Sequence, residues 1–194
     1  LELLRAYGWN TTSFQILERG FAYWFDAAGN SCVAYVDTGT AWVAAGAPIA
    51  PAETIEAVAE QFVAEAARKR RRVCFFAVER RLVGAPWLRK MPIGEQPVWD
   101  PSSWGEIVQR EPRLREQIRR AGAKGVVVRS VAAEEIERAP LRAEFEELIA
   151  NWLTTRKMAP MGFLVDVQPF DFAKERRCFV AEQRGRVVGI LVAV

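Results

Sequence analysis

Three basic residues, Arg115, Arg119 and Lys124, have a spacing that suits phosphate binding. Arg115 and Arg119 lie four positions apart, so a helix would bring both guanidinium groups to one face, where they could share an anion. Residues 110–124 hold six basic and two acidic residues, which fits contact with the phosphates of a lipid head group or of RNA. Two alternatives are a solvated basic face and ion pairs with the glutamates of residues 134–147.

A second basic run, at residues 68–72, reads Arg-Lys-Arg-Arg-Arg. It fits either the C-terminus of a helix, where the helix dipole favours cations, or a second surface for phosphate contact. The balance reverses in residues 134–147, which contain six glutamates and two arginines. The net charge of +3 is too small to indicate nucleic-acid binding by itself.

The chain has no histidine, which excludes a Ser-His-Asp triad, a Cys-His pair and any metal site containing histidine within it. The three cysteines, Cys32, Cys74 and Cys178, each lie in an apolar, strand-like run. We expect buried free thiols in a reducing, cytoplasmic compartment; a nucleophile or a disulfide is the alternative. No cysteine pair has metal-ligand spacing, so we expect no metal ion.

The first half of the sequence predicts a meander, a helix and a further strand. Three short apolar runs are separated by turn sequences rich in glycine and Asx residues, which favours antiparallel pairing. Apolar residues then follow helical spacing, with Pro51 in the first turn and the basic run at the end. The predicted strands are 21–25, 32–36, 41–45 and 73–78, the last one suited to a sheet centre, and the predicted helix is 51–70.

The second half alternates helices and strands after a connector at residues 82–101 that contains four prolines. Ser103 and Glu106 have the spacing of a capping box for a short helix. The further predicted elements are a strand at 96–99, a helix from Pro112, a strand at 126–131, a helix at 140–156, a strand at 163–167 and a hairpin of 178–182 with 187–194. This order predicts an α/β (α+β) fold with mixed, mainly antiparallel sheets flanked by helices.

Composition adds three expectations. No apolar run approaches the roughly 18 residues that a membrane span needs. The sequence begins at Leu1 without a secretory signal, so we expect it to be part of a longer protein. Most of the seven tryptophans lie in apolar patterns and are expected in the core, with Trp87, flanked by Pro86 and Leu88, as the expected surface exception.

Four segments in fixed order resemble the C-terminal domain of phosphatidylglycerol lysyltransferases and related proteins. They are Ala-Gly-Ala-Pro-Ile-Ala-Pro at 45–51, Lys-Met-Pro-Ile-Gly-Glu-Gln at 90–96, the basic segment 114–125, and Trp152-Leu153 followed by Pro-Met-Gly-Phe-Leu at 160–164. The run at 179–191 also resembles the central hairpin of GNAT-type acyltransferases. The resemblance covers residues 8–194.

The resemblance implies two GNAT-like units in tandem. The front unit, 1–100, would be degenerate and structural, and 101–194 would form the first part of an incomplete second unit. It also implies transfer of an aminoacyl group from aminoacyl-tRNA, or of an acyl group from acyl-CoA, to a lipid or amine acceptor. These donors are substrates, and no permanently bound cofactor is expected. The expected partners are tRNA and an anionic phospholipid head group, which would place the protein at the cytoplasmic face of the membrane. The alternative is a non-catalytic module that binds anionic lipid or RNA.

The resemblance also implies roles for individual residues in these segments. Glu95 and Lys90 become the candidate catalytic residues, Glu95 as acid/base or as holder of an amino group, although a solvated loop glutamate is the alternative. Gly162 joins Arg115, Arg119 and Lys124 as candidate substrate-binding residues. The family run Lys-x-Gly-Glu-Glu differs here by a longer spacing between the lysine and the glycine and by one missing acid. Because proline lacks an N–H, we expect no CoA at the loop 46–51.

Overall fold

The structure is a computed structural model that describes residues 1–95, 97, 98, 100–155 and 168–194. Contacts divide the described residues into two units. Unit 1 contains residues 1–91, and unit 2 contains the described part of 92–155 together with 168–194. The predicted assignment of each half to a GNAT-like fold, with its boundary at residue 100, stays a prediction.

Unit 1 is built on a four-stranded sheet in the order β1-β2-β3-β4. The first three strands form the predicted antiparallel meander, whereas β4 runs parallel to β3. Gly39, with a φ of +85°, lies in the β2–β3 turn and donates its N–H to Asp37 Oδ1 at 2.7 Å. The strands are β1 (Ala22–Phe25), β2 (Cys32–Asp37), β3 (Ala41–Ala45) and β4 (Arg72–Phe76).

The prediction for β4 is wrong in two respects. The strand ends at Phe76 rather than at residue 78, and Ala77 and Glu79 follow it with positive φ. It also lies at the sheet edge among the described residues, because its only named partner there is β3. Exposed and half-buried residues alternate along it, a pattern typical of a strand with one covered face.

Three helices accompany this sheet, and only the longest of them was predicted. Its apolar stripe is buried as its spacing predicts, from Ile55 through Phe62 to Ala66. A 3₁₀ turn at Ala52–Thr54 precedes it, so the regular helix begins four residues later than Pro51. The helices are α1 (Glu2–Tyr7), α2 (Thr11–Gln15) and α3 (Ile55–Arg68).

The central strands of the unit 1 sheet, β2 and β3, are packed on both faces, with alternate residues pointing to opposite sides. On one face Val33 joins α3 residues around Phe62, which has no exposed surface. The ring of Phe62 lies 5.4–5.9 Å from four other aromatic rings, those of Trp24, Tyr35, Trp42 and Phe75. On the other face Cys32 and Ala34 pack with Ile16, Ala45 and Ile49, beside residues of α1.

Unit 2 contains a three-stranded antiparallel sheet in the order β5-β6-β7. Phe145 of the long helix fills its core against Val131, Cys178 and Val180. Arg184 and Gly185, both with positive φ, form the tight turn between the last two strands, as predicted. The elements are α4 (Trp104–Arg110), α5 (Pro112–Ala123), β5 (Val126–Val131), α6 (Ala133–Ile136), α7 (Ala139–Thr154), β6 (Arg177–Gln183) and β7 (Arg186–Ala193).

The predicted α+β class, with two sheets flanked by helices, is thereby confirmed. The capping box is wrong, since Ser103 makes no side-chain cap hydrogen bond and instead donates its hydroxyl to the Asp100 carbonyl at 2.8 Å. The predicted strand 163–167, the end of the helix at Arg156, and part of the strand 96–99 lie outside the described residues.

Tryptophan exposure also differs from expectation. Trp42 is buried as predicted, and Trp87 is 37% exposed. Trp104 and Trp152, at 47% and 45%, are more exposed than Trp87. Both lie on helices of unit 2, Trp104 at the start of α4 and Trp152 in the last turn of α7.

Candidate functional site

Helix α5 presents the predicted basic face to solvent. Pro112 starts the helix, where its fixed φ suits the first turn, and Gly125, with a φ of +76°, follows its end. Arg115, Arg119 and Lys124 are all exposed. The structure therefore places the three predicted phosphate-binding residues on one helix and at its C-terminal cap.

The arginines of α5 pair within their own segment. Glu116 accepts hydrogen bonds from Arg119 at 2.7 and 2.8 Å and from Arg120 at 2.7 Å. These bonds lower the pKa of Glu116, with Arg119 as the larger cause, and raise the pKa of Arg119. Arg115 donates to the Gln109 carbonyl. The alternative pairing of Arg115 or Arg119 with the glutamates of 134–147 is wrong.

The Glu116 carboxylate therefore pairs with the guanidinium groups of both Arg119 and Arg120, which leaves this part of α5 with net positive charge. Arg113 and Lys124 make no ion pair with any carboxylate that the structure describes. Guanidinium groups held by a carboxylate keep further N–H donors for a phosphate, because each carries five. The helix can thus bind an anion without breaking its internal pairs.

The other basic run fits the helix-terminus interpretation. The N–H groups of Arg70 and Arg71 bond to the carbonyls of Ala67 and Ala66 at 2.9 and 2.8 Å, which closes α3 with a Schellman motif. The Arg71 guanidinium lies 3.0 Å from a carboxylate oxygen of Asp37, whose pKa is lowered first by the Gly39 N–H and also by Arg71. These contacts give residues 68–72 a structural role at the end of the helix.

The two candidate catalytic residues fall in different units. Lys90 belongs to unit 1 and donates its ammonium to the Val83 carbonyl. Glu95 belongs to unit 2 and is exposed, with no hydrogen bond or ion pair to any described residue. Gly162, the remaining predicted residue, lies outside the described residues. The roles of these three residues stay predictions.

The loop at residues 46–51 is part of the unit 1 core. Ile49 exchanges two backbone hydrogen bonds with Cys32, at 2.9 and 3.0 Å, and Gly46 donates to the Phe76 carbonyl at 2.8 Å. Residues 44–50 are all buried. With Pro48 and Pro51 lacking an N–H, few donors of this loop are left for a pyrophosphate.

The cysteine prediction holds for two residues and is wrong for the third. Cys32 and Cys178 are buried free thiols, whereas Cys74 is exposed on the edge strand β4. Burial raises the pKa of Cys32 to about 11 and raises that of Cys178 as well. Neither buried thiol is therefore activated as a nucleophile at neutral pH.

An ion-pair group in unit 2 has no sequence signal. Arg129 lies 2.7 Å from a carboxylate oxygen of Glu135 and 2.9 Å from one of Glu182. The bonds to Glu135 and Glu182 raise the pKa of Arg129, and Arg129 lowers that of Glu135. Arg129 and Glu182 are 53 positions apart, so spacing alone could not have paired them.

Two further searches concern the described part of the chain only. No group of three His, Cys, Asp or Glu residues there could hold a metal ion. No helix there is both long enough and apolar enough to pass through a bilayer. The predicted lack of a metal and of a permanent cofactor stays a prediction.

Comparison with solved structures defines the class of fold. The chain is similar to the C-terminal domain (DUF2156) of a candidate lysylphosphatidylglycerol synthetase from Agrobacterium fabrum, with 18% identity and a TM-score of 0.78 over 98% of this chain and 62% of that one. It is also similar to L-PGS from Bacillus licheniformis, with 15% identity and a TM-score of 0.73 over 98% and 59% of the two chains. The chain thus spans about three fifths of each.

The sequence comparison names the family. The family described as "Phosphatidylglycerol lysyltransferase, C-terminal" matches residues 1–194, so the chain belongs to that family. The comparison with curated proteins gave no match. The resemblance seen in the four sequence segments is confirmed at the level of family.

Proposed function

We propose that this protein transfers an aminoacyl group from aminoacyl-tRNA to the head group of an anionic membrane lipid. Membership of the lysyltransferase C-terminal family over residues 1–194 carries this proposal. The basic, exposed helix α5 supports it, because both proposed substrates are rich in phosphate. The proposed place of action is the cytoplasmic face of the membrane.

The proposed reaction needs no covalent enzyme intermediate, because an aminoacyl ester is already activated. A head-group hydroxyl oxygen attacks the ester carbonyl carbon, a new ester bond forms, and the bond from that carbon to the ribose oxygen breaks. The hydroxyl proton passes to a base and then to the leaving ribose oxygen. The enzyme must position the reactants and stabilise the oxyanion, and neither task requires histidine.

Glu95 is the proposed base, since its exposed carboxylate is free of hydrogen bonds within the described chain and can receive a substrate. Lys90, the other candidate catalytic residue, lies in unit 1 and donates its ammonium to the Val83 carbonyl. Arg115, Arg119 and Lys124, with Gly162, are the proposed contacts for substrate phosphate. The assignments of Glu95 and Gly162 rest on the family resemblance, and those of the three basic residues rest also on their spacing and exposure.

The hydrogen bonding of the loop 46–51 argues against binding of acyl-CoA by unit 1. Its Gly46 and Ile49 N–H groups already bond to backbone carbonyls, and residues 46–50 are buried. Acyl-CoA binding by a GNAT-type loop depends on free N–H groups at a helix start. We therefore propose that unit 1 has a structural role.

A transfer assay tests the proposal. Protein is incubated with tRNA carrying a radiolabelled lysyl group and with phosphatidylglycerol vesicles, and label in the extracted lipid is measured. We expect labelled lipid with the wild-type protein, and at least a hundredfold slower transfer with Glu95→Gln. Glu60→Gln, at an exposed carboxylate of α3, is the matched control and should keep the wild-type rate.

Absence of labelled lipid with the folded wild-type protein would contradict the proposal. If the same protein still bound tRNA or anionic vesicles, the result would favour the alternative of a non-catalytic binding module. Equal rates for Glu95→Gln and Glu60→Gln would remove Glu95 from the proposed mechanism.

A further inference from the structure

Two loops of unit 1 are held together by a hydrogen bond and a cation–π contact. One loop follows β4 and contains Glu79 and Arg81, and the other, residues 8–10, connects α1 to α2. Asn10 Nδ2 donates a hydrogen bond to Glu79 Oε1 at 2.6 Å. The guanidinium carbon of Arg81 lies over the Trp9 ring, 4.7 Å from the ring centroid. The side chain of Arg81 is therefore held in place from outside its own loop.

The backbone that carries Arg81 is fixed by the unit 1 core. Val78 packs against the core on the α3 face, and Leu82 is only 2% exposed. The Arg81 N–H donates to the Val78 carbonyl at 3.1 Å. Ala77 and Glu79 have positive φ angles of 56° and 49°, which cost free energy in residues other than glycine and tend to occur at functional sites. The loop is therefore a strained and well-anchored support for one arginine.

The positive charge of Arg81 has no counter-ion in the described chain. Its guanidinium is half-buried and makes no hydrogen bond or ion pair with any residue that the structure describes. Burial lowers the pKa of Arg81, and no carboxylate of the described chain offsets that effect. The Trp9 ring covers the guanidinium, but a ring cannot satisfy its five N–H donors. A partly desolvated charge with unused donors is unfavourable, so this arrangement favours an anion from solution.

We propose that Arg81, held over Trp9, binds the carboxylate of a small organic acid. The planar guanidinium matches a carboxylate, which can accept two parallel N–H···O hydrogen bonds from it. A singly charged carboxylate fits better than a doubly charged phosphate, because the Glu79 carboxylate lies only two positions away in the same loop. Binding stabilises unit 1 and takes no part in the proposed transfer, whose phosphate contacts are proposed in unit 2.

Nuclear magnetic resonance of the ¹⁵N-labelled protein tests this site. The spectra of Arg81→Lys and Trp9→Phe identify the Arg81 Nε–H and Trp9 indole N–H signals of the wild type. Sodium acetate is titrated in place of sodium chloride at constant ionic strength, and inorganic phosphate is titrated in the same way. We expect saturable shifts of both signals with acetate and weaker binding of phosphate. Shifts that grow without saturation, or tighter binding of phosphate than of acetate, would overturn the proposal.

Matched variants locate the contact. Arg81→Gln should weaken acetate binding about tenfold, whereas Arg80→Gln, which removes the exposed neighbouring cation, should leave it unchanged. Arg81→Lys keeps the charge but loses the planar pair of donors, and it should weaken binding about fivefold. The lysine variant also serves if the glutamine variant does not fold. Wild-type affinity in the folded Arg81 variants, or an equal loss in Arg80→Gln, would overturn the proposal.

Stability gives an independent measurement of the same site. A ligand that binds only the folded protein raises the stability of that state as its concentration rises. We expect the urea unfolding midpoint of the wild type to increase when acetate replaces chloride, and that of Arg81→Lys to increase less. Equal increases in the two proteins would show that acetate acts as a general co-solute, and this result would contradict the proposed site.

Discussion

The sheets of the two units differ in what covers them. In unit 1, alternate residues of β2 enter two separate clusters, with Val33 on the α3 side and Cys32 and Ala34 on the side of α1 and α2. In unit 2, Phe145 and its neighbours cover one side, while Val128 and Leu191 remain exposed. Unit 1 has the more completely buried sheet.

The helices show the same difference. Five residues of α3 are buried, whereas α5 of unit 2 buries none and carries most of its side chains in solvent. A helix whose apolar face is buried in a core has little exposed surface for ligands. A helix with exposed apolar and basic groups is stabilised only weakly by its own domain and is free to meet a partner. We infer that unit 1 is a structural partner and that unit 2 provides the binding surfaces.

The largest expected effect is the loss of the unit 1 core. Phe62→Ala removes a fully buried ring from between four aromatic neighbours, so we expect a loss of about 3–5 kcal/mol in unfolding free energy. Ile118→Ala on α5 should change it by less than about 0.5 kcal/mol. Urea unfolding followed by circular dichroism measures both. Similar losses for the two variants would contradict the contrast between α3 and α5.

A smaller effect is expected at the buried loop 46–51 of unit 1. Gly46 has a φ of +77°, so Gly46→Ala introduces strain of about 1–2 kcal/mol even though the nearest atom to the new Cβ, Thr12 Cγ2, is 3.9 Å away. Gly94→Ala, where nothing lies within 4 Å and φ is ordinary, is the control. Thermal unfolding should show a lower midpoint for Gly46→Ala alone. A midpoint equal to the control would show that the backbone there is not constrained.

A stabilising change is expected at the end of α3. Arg70 occupies the left-handed position of the Schellman motif with a φ of 55°, where glycine is normally favoured. Arg70→Gly should raise the unfolding free energy by up to about 1 kcal/mol, because it removes this strain. Lys69→Gly, at a negative φ of −88°, should instead destabilise. Stabilisation by neither variant would mean that the Arg70 side chain makes a compensating contribution.

The smallest effect concerns acid sensitivity in unit 2. Arg129 lowers the pKa of Glu135, so this carboxylate stabilises the fold above its ordinary pKa of 4.5, and that stabilisation is lost as the pH falls through the lowered value. Arg129→Gln should reduce the loss of stability between pH 7 and pH 3. Arg110→Gln, which breaks an exposed pair with Glu106, is the control. Urea unfolding midpoints measure this loss. If the midpoints of Arg129→Gln fall as steeply across this pH range as those of the wild type, the stabilising role of the Arg129–Glu135 pair is refuted.

Periodicity predicted the long elements of the fold well. The stripes of α3 and α7 each extend over three or more turns, and the glycine-containing turns fixed the meander and the last hairpin. Helices α1 and α2 were not predicted, because segments of five or six residues are too short to show helical periodicity. The sequence pattern also did not predict the hydrogen bonds between Ser102 and Asp100. They are present in place of the expected capping box at Ser103.

The site was less predictable than the fold. The helical placement of Arg115 and Arg119 followed from spacing, but their partners did not, because Glu116 competes with every distant glutamate for the same guanidinium groups. The candidates Lys90 and Glu95 came from family resemblance rather than from any local pattern. Exposure of Ile118 and Trp104 could not be read from sequence, since an apolar stripe looks the same whether or not a core covers it.

Hydrogen–deuterium exchange of the protein, with and without phosphatidylglycerol vesicles, charged tRNA or CoA, tests the division between the units most directly. We predict slower exchange at 104–123 with vesicles and in unit 2 with tRNA. In unit 1 we predict no change at 44–51 with CoA and none at 68–72 with vesicles. Protection of residues 44–51 by CoA, or protection confined to unit 1 with either of the other ligands, would contradict the claim that unit 1 is structural and unit 2 binds the substrates.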